Sequence, residues 1–382
     1  MLKHWLVALA PAGVQPLFSA VISIAGVIAV FATLFALTTV AERKGLGRIQ
    51  NRYGPNRVGP FGLLQPAADG LKSLTKEDLT PAAADRWVFF LAPLVLVVPA
   101  FLALSVLPMG RNMTMVDLDG GVLFFFAVGA ATELSVFMAG WSSRNKYSLL
   151  GAMRAIAQMI SYEVPLILSA VTAVMMAGSL STDEIVAAQA GYTCGVPNWF
   201  VTTPWGLAGF LLFLVCAMAE SNRSPFDLPE GESEIIAGYY IEYSGFKFAL
   251  FFLGEYIGMF AVSGMAITLF LGGWNAPAAC LDAVPSFVWF FAKLGCLIAF
   301  FIWVRGTLPR LRMDQLMNLA WKFMLPMALL NLLVAGLWRF AQPGPARWLA
   351  CGAVLAGGYL TLARGLLEAG GVRGRRVYRF AE

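Results

Sequence analysis

Residues 246–272 read FKFALFFLGEYIGMFAVSGMAITLFLG, a long apolar run with two charges, Lys247 at its edge and Glu255 inside it. A bilayer core of about 30 Å is crossed by roughly 20 apolar residues at 1.5 Å rise each, so this stretch predicts a transmembrane helix. The rest of the chain is of the same kind. It has 382 residues, 59% hydrophobic and 13% charged, where soluble domains carry roughly 25% charged residues.

Eight further runs meet the same test: 17–41, 87–107, 121–141, 155–178, 204–218, 285–304, 319–338 and 348–367. The fold class expected is therefore an all-α integral membrane protein of about nine spans. Eight form a core; the ninth, 348–367, is a C-terminal extra weakened by Arg364 and several glycines. One polytopic unit over 1–382 is predicted, with a first loop at 42–86, an acidic loop at 219–247 and an extension from 342. MLKHW at the start has no small-residue cleavage site behind a short apolar core, so the first span is expected to stay in the mature protein.

Alternate loops differ in charge. One set (42–86, 142–154, 219–247, 305–322 and the tail from 364) holds 22 of the 27 Lys and Arg. Cytoplasmic loops retain positive charge, which predicts the N-terminus outside, the C-terminus inside and an odd number of spans, nine or seven. The net charge of +5 then reflects topology and anionic headgroups rather than nucleic acid. The five Cys are scattered, the one His is His4, and there is no nucleotide fingerprint, so no metal, haem, iron-sulfur or flavin site is expected in this chain. Any redox centre would be carried by a partner.

The inner loops are the informative part. Gly54, Pro55, Gly59 and Pro60 interrupt the first loop, since proline lacks a donor and glycine favours turns. Beyond them Leu64, Ala68, Leu71 and Leu74 recur at helical spacing, with Gln65, Asp69, Lys72 and Lys76 on other faces. This predicts an amphipathic helix of about three turns on the membrane surface or under a partner. The acidic loop follows the fifth span as CAMAESNRSPFDLPEGESE, residues 216–234.

Acids also occur within spans: Glu133, Glu163 and Glu255. A charge near mid-membrane costs roughly 2.5–3.5 kcal/mol, so such groups pair, face water or hold a proton. Lys293, the one cation well inside a span, can pair with one of them and hold helices together, but cannot neutralise the set. A chain of carboxyl groups suits a proton or ion path.

Three long stretches, AERKGLGRIQNRYGPNRVGPFGLLQPAADGLK, AESNRSPFDLPEGESE with IEYSGFKFALFFLGEY, and RGTLPRLRMDQLMNLAWKFMLP, together resemble the quinone-site membrane subunit of proton-translocating NADH:quinone oxidoreductase, respiratory complex I. The likeness covers about residues 15–340. It implies a translocase component in a bacterial cytoplasmic membrane that binds no redox centre itself and takes ubiquinone or menaquinone as substrate. The implied partners are peripheral-arm subunits, which carry the terminal iron-sulfur cluster and the quinone headgroup site, and antiporter-like and small membrane-arm subunits. By the same resemblance Arg43, Arg52, Asp69 and Phe226 lie at the quinone, and Glu42, Lys72 and Arg223 at the partner contact. Glu220, Asp227, Glu230, Glu232 and Glu234 begin a proton path that Glu163, Glu133 and Glu255 continue. Two other readings stay open on sequence: the equivalent component of an ion-pumping hydrogenase-type complex, and a stand-alone secondary transporter, although no internal repeat of the transporter kind is visible.

Overall fold

The structure is a computed structural model, and it describes residues 15–193, 195–227, 237–342 and 344–370. Eight of its helices are long and apolar enough to cross a membrane, and a ninth apolar helix of 17 residues is shorter. The all-α membrane architecture follows from them. In chain order the helices are α1 (Gln15–Ile49), α2 (Gln65–Thr75), α3 (Arg86–Leu104), α4 (Gly121–Gly129), α5 (Ala131–Ser142), α6 (Lys146–Ala177) and α7 (Thr182–Ala188). After a small antiparallel hairpin, β1 (Tyr192–Thr193) with β2 (Val196–Pro197), come α8 (Pro204–Glu220), α9 (Gly245–Phe270), α10 (Ser286–Thr307), α11 (Met313–Leu319), α12 (Leu325–Phe340) and α13 (Pro345–Gly370).

The stretch 246–272 forms α9 and is the centre of the bundle: 72% of its most apolar window is buried, against 6% for α1 and 11% for α13. Around α9 lie α3, α8, α10 and the surface helix α2; α6 joins α5, α8 and α12 on the far side. In a bilayer the outer faces of α1 and α13 need no burial, because lipid tails are as apolar as leucine. Small residues set the closest approaches. A Cβ on Gly140 of α5 would stand 2.3 Å from the Cβ of Ala152 on α6, and one on Gly151 would stand 2.6 Å from the backbone of Gly238. The loop after the acidic segment is thereby pressed against α6.

Local chemistry fixes the ends. Asn145 caps α6 by accepting from the Tyr147 amide at 3.0 Å, and Gly178 ends it with φ 77°, the left-handed C-terminal stop that glycine tolerates. Thr203 accepts from the Gly206 amide at 3.2 Å at the start of α8, with Pro204 in the first turn, where a missing donor is harmless. The chain runs through Pro165 in α6 without a break. Between α11 and α12 the backbone makes one π-helical turn, Ala320–Met324, and Trp321 from it donates to the Ser161 hydroxyl at 3.2 Å.

Two boundaries differ clearly from the sequence reading, and one element agrees with it. The span expected at 155–178 starts at Lys146, where Asn145 caps it, so Lys146 and Arg154 are on α6 rather than in a loop. The first span continues past Ala41 to Ile49, so Glu42, Arg43 and Lys44 ride on helix rather than loop. Nothing breaks the helix before Gly54 and Pro55; AERKGLGRI has good helix formers and two tolerable glycines. The surface helix α2 covers 65–75 as its pattern requires, with Leu71 and Leu74 on an exposed apolar face.

Candidate functional site

Glu42, on the last turns of α1, is 4% exposed. A carboxylate so buried needs partners, and three distant segments supply them. Arg223, from the loop after α8, donates through Nη1 to both its oxygens at 3.0 and 3.2 Å. Arg305, at the C-terminus of α10, donates to Oε1, and the Tyr256 hydroxyl of α9 donates to Oε2 at 2.5 Å. The Arg223 guanidinium also lies 3.9 Å from the centroid of the Tyr256 ring, a cation-π contact strengthened by burial. Burial opposes the charge on Arg223, but Glu42, Tyr256 and Glu255 around it together outweigh that and raise its pKa. With two guanidiniums on one carboxylate the cluster is net positive, and Nε and Nη2 of Arg223 meet no acceptor among the described residues.

Beside this cluster an open cavity of ≈ 490 Å³ lies between α1, α2 and α9. Glu42, Arg43, Asp69 and Lys72 line it together with Phe252 and Arg305. Arg43 and Asp69 pair at 2.6 Å and tie α1 to α2, with Gln65 also donating to Asp69 at 3.0 Å. The pair is half-exposed, so its contribution is geometric more than energetic, about 0–1 kcal/mol.

Inward, a small cavity is lined by Phe252 and Arg305 again, now with Asn222, Arg223, Asp227 and Glu255. Asn222 and Glu255 in turn line a third cavity of ≈ 80 Å³, with Glu163 and Glu220. That volume has room for several waters. Glu255 accepts from the hydroxyls of Tyr239, at 3.1 Å, and Tyr240. Glu133 and Glu163 lie close to one another, and both are near enough to Glu220 to act on it electrostatically. Glu133 Oε1 and Glu220 Oε2 are buried and meet no hydrogen-bond partner among the described residues.

The structure thus brings together most, though not all, of the residues singled out in the sequence. Glu42 and Arg223, assigned by resemblance to a partner contact, are buried against each other inside the chain. Arg43, Asp69 and Lys72 share the outer cavity; Glu163, Glu220 and Glu255 share the inner one, with Glu133 close to Glu163. Asp227 is 3% exposed and takes Arg310 at 2.9 Å. Phe226 is buried under an edge contact with Tyr162, ring centroids 5.4 Å apart, and lines none of these three cavities. Arg52 is exposed, bonded to Gln50 at 2.8 Å, away from the cluster. Glu230, Glu232 and Glu234 lie outside the described residues.

Four participants are not singled out by the sequence: Tyr256, Arg305, Arg310 and Gln158. The two arginines stand in RGTLPRLR, where they count as topological charge, and Tyr256 directly follows Glu255. Gln158, fully buried, donates to the carbonyls of Ala219 at 2.8 Å and Phe226 at 2.7 Å, so it holds the start of the acidic loop to α6. Nor does Lys293 pair with a membrane acid. Its ammonium donates to the carbonyls of Leu271, Gly273 and Asn275 at 2.7, 2.8 and 2.8 Å, capping the C-terminus of α9.

A model of the NADH dehydrogenase family matches residues 22–336. The chain belongs to the NADH dehydrogenase family. Curated relatives agree with that membership, and each bears the name of the H-type component of NADH-quinone oxidoreductase. The second such protein of Geobacter sulfurreducens is 50% identical over 313 residues, 80% of this chain and 91% of that protein. The one of Dehalococcoides mccartyi strain CBDB1 is 55% identical over 293 residues, 77% and 79% of the two chains. The one of Bacillus cytotoxicus is 48% identical over 314 residues, 81% and 92%. The family match ends within α12, so α13 lies beyond the part that this NADH dehydrogenase family member shares with the family model.

Proposed function

We propose that this membrane subunit of an NADH-quinone oxidoreductase forms the quinone entrance and binding chamber with peripheral-arm subunits. It then passes the consequence of quinone reduction into the membrane through its carboxyl groups. One observation carries the reading: the three cavities are consecutive. The outer one, on the amphipathic helix, shares Phe252 and Arg305 with the middle one, and the middle one shares Asn222 and Glu255 with the inner one.

The outer cavity has the two kinds of wall that a quinone needs. Phe35, Phe248 and Phe252 offer apolar surface for an isoprenoid tail coming from the bilayer, and Arg43, Lys72 and Arg305 offer donors at one end. A quinone carbonyl gains electron density as it is reduced, and positive donors held in place stabilise that gain. The electrons come from an iron-sulfur cluster on a peripheral subunit. The protons, or the shift of charge, are drawn at the Glu42–Arg223–Arg305 cluster, whose balance of one carboxylate against two guanidiniums is sensitive to a nearby negative charge. Asp227 and Glu255 sense the change through Arg310, Arg223 and the tyrosines. The neighbouring carboxyl groups of Glu133, Glu163 and Glu220 transmit it towards antiporter-like subunits. Glu230, Glu232 and Glu234 are proposed to belong to the same path.

In this reading the basic loops face the cytoplasm, and the open end of the outer cavity meets the peripheral arm. The test is Glu163→Gln in native membranes. It is expected to lower coupled quinone reduction and proton release about tenfold or more while the complex still assembles; an assembled variant with unchanged pumping removes Glu163 from the path. A photoreactive quinone is expected to label α1, α2 or α9, and labelling confined to other helices overturns the chamber.

A further inference from the structure

At the end of α10 opposite Arg305, about 30 Å away along a helix of this length, the chain has a separate cavity of ≈ 610 Å³ that the proposed function does not use. It lies between the segment around β1 and the connection from α9 to α10. A volume of this order is typical of small-ligand sites. Three tryptophans line it, Trp199, Trp274 and Trp289, the side chain that concentrates where a membrane protein meets headgroups.

Its polar groups are of both signs and are held apart. Arg111 lies with its guanidinium 5.4 Å from the centroid of the Trp274 ring, its backbone amide fixed by Ser286 at 2.9 Å. Asp282 is oriented by the Tyr192 hydroxyl at 3.0 Å. Arg111 and Asp282 make no ion pair with each other among the described residues, although both line the cavity. Next to the cavity Leu281, Phe287 and Val288 are exposed, which continues the polar site into an apolar surface at the start of a spanning helix.

We propose that this cavity binds the headgroup of a zwitterionic phospholipid with a primary ammonium, of the phosphatidylethanolamine class. Arg111 takes the phosphate, Asp282 takes the ammonium, and the acyl chains run down past Phe287 and Val288. A free anion would leave Asp282 repelling it. A choline headgroup has no N–H to donate to Asp282. A purely anionic lipid satisfies Arg111 alone. The matched pair of charges therefore selects a primary-amine zwitterion, in the leaflet opposite the quinone chamber.

The full chain, extracted with the subunits that accompany it, is delipidated in detergent and returned to nanodiscs holding equal amounts of ethanolamine, choline and glycerol phospholipids. Lipid retained after a second detergent wash is counted by mass spectrometry. The ethanolamine lipid is expected to be enriched about tenfold over each of the others, the factor that one charge-assisted hydrogen bond supplies. Arg111→Gln is expected to abolish retention, and Asp282→Asn to abolish the preference over choline while leaving some retention. Equal retention of the three lipids by the unaltered chain, or a preference for the anionic one, overturns the proposal, and that result does not depend on any variant folding. Unchanged enrichment in a well-folded Arg111→Gln chain overturns it as well, since the lipid then binds elsewhere.

Discussion

Arg223 and Glu42, 181 positions apart in the sequence, meet in the interior of the chain, where Nη1 of Arg223 donates to both carboxylate oxygens at 3.0 and 3.2 Å. Arg305 and Tyr256 close around the same carboxylate, so four segments meet at one buried charge. Removing one partner of a buried ion pair costs about 3–5 kcal/mol, because the other is left uncompensated. Glu42→Ala is therefore expected to lower thermal stability far more than Tyr256→Phe, which loses one bond to a charged group, about 1.5–3 kcal/mol. The double variant Glu42→Gln with Arg223→Met is expected to be more stable than Glu42→Ala alone. Unfolding of the purified protein followed by intrinsic fluorescence measures all three, and strictly additive losses would show that the pair is not coupled.

How much of this was legible follows from what periodicity reports. Apolar runs gave the spans, since length and hydropathy decide them locally, but not the polar ends of α1 and α6, where helix runs on through charged residues to Ile49 and starts back at Lys146; the 3.6-residue pattern around Leu71 gave α2. Glu133, Glu163 and Glu255 stood out because a charge in an apolar run is anomalous on its face. Their meeting with Glu220 is a tertiary fact, and the assignment of chemistry to it came from family resemblance rather than spacing. Arg305 was visible but ambiguous, being both a charge at a membrane boundary and a ligand of Glu42. Gln158 carried no signal at all, because one polar residue in a helix with several serines is unremarkable until the carbonyls of Ala219 and Phe226 are seen beside it.

Gln158 ties the first turn of the acidic loop to α6 through those two carbonyls. Gln158→Leu has a similar volume and removes both bonds, each worth about 1 kcal/mol net. The loop amides around Phe226, whose own N–H bonds to the Arg223 carbonyl at 2.8 Å, are expected to exchange with solvent on the order of tenfold faster, while amides in the middle of α9 keep their protection. Hydrogen exchange read by mass spectrometry decides it; an unchanged loop would mean that the ion cluster alone holds this segment.

Asp183, in the first turn of α7 outside the spans, has its pKa raised above the ordinary 3.8 by burial, partly offset by the Thr114 hydroxyl and reinforced by Asp117. A carboxyl raised in the fold binds its proton more tightly there than in the unfolded chain. Its contribution is then most favourable below the unfolded value and falls as pH rises towards the folded one. The stability of the wild type relative to Asp183→Asn is therefore expected to be highest near pH 4 and to decline on raising the pH, levelling off above the folded pKa. Thermal unfolding of both proteins in detergent from about pH 4 to 7 reads the slope, and a difference that grows with pH contradicts the burial argument.

Lys293 illustrates the opposite case, a charge inside a span with no acid to answer it. Three carbonyls at the end of α9 accept from its ammonium, and the Trp199 ring lies 4.0 Å away. The last carbonyls of a helix lack intrahelical donors, and the helix dipole places partial negative charge at that end, so a compact cation with three donors fits there. Arginine does not, because its planar fork cannot converge three donors on one point. Both Lys293→Met and Lys293→Arg are therefore expected to destabilise the chain, by about 1.5–3 kcal/mol for the loss of charge-assisted bonds, with activity at the distant, proposed quinone chamber little changed in the protein that remains folded. Unfolding temperature and quinone reductase activity measured on the same preparations separate the two effects. A Lys293→Arg chain as stable as the wild type would show that the cap needs only charge, and loss of activity without loss of stability would place Lys293 in the coupling path instead.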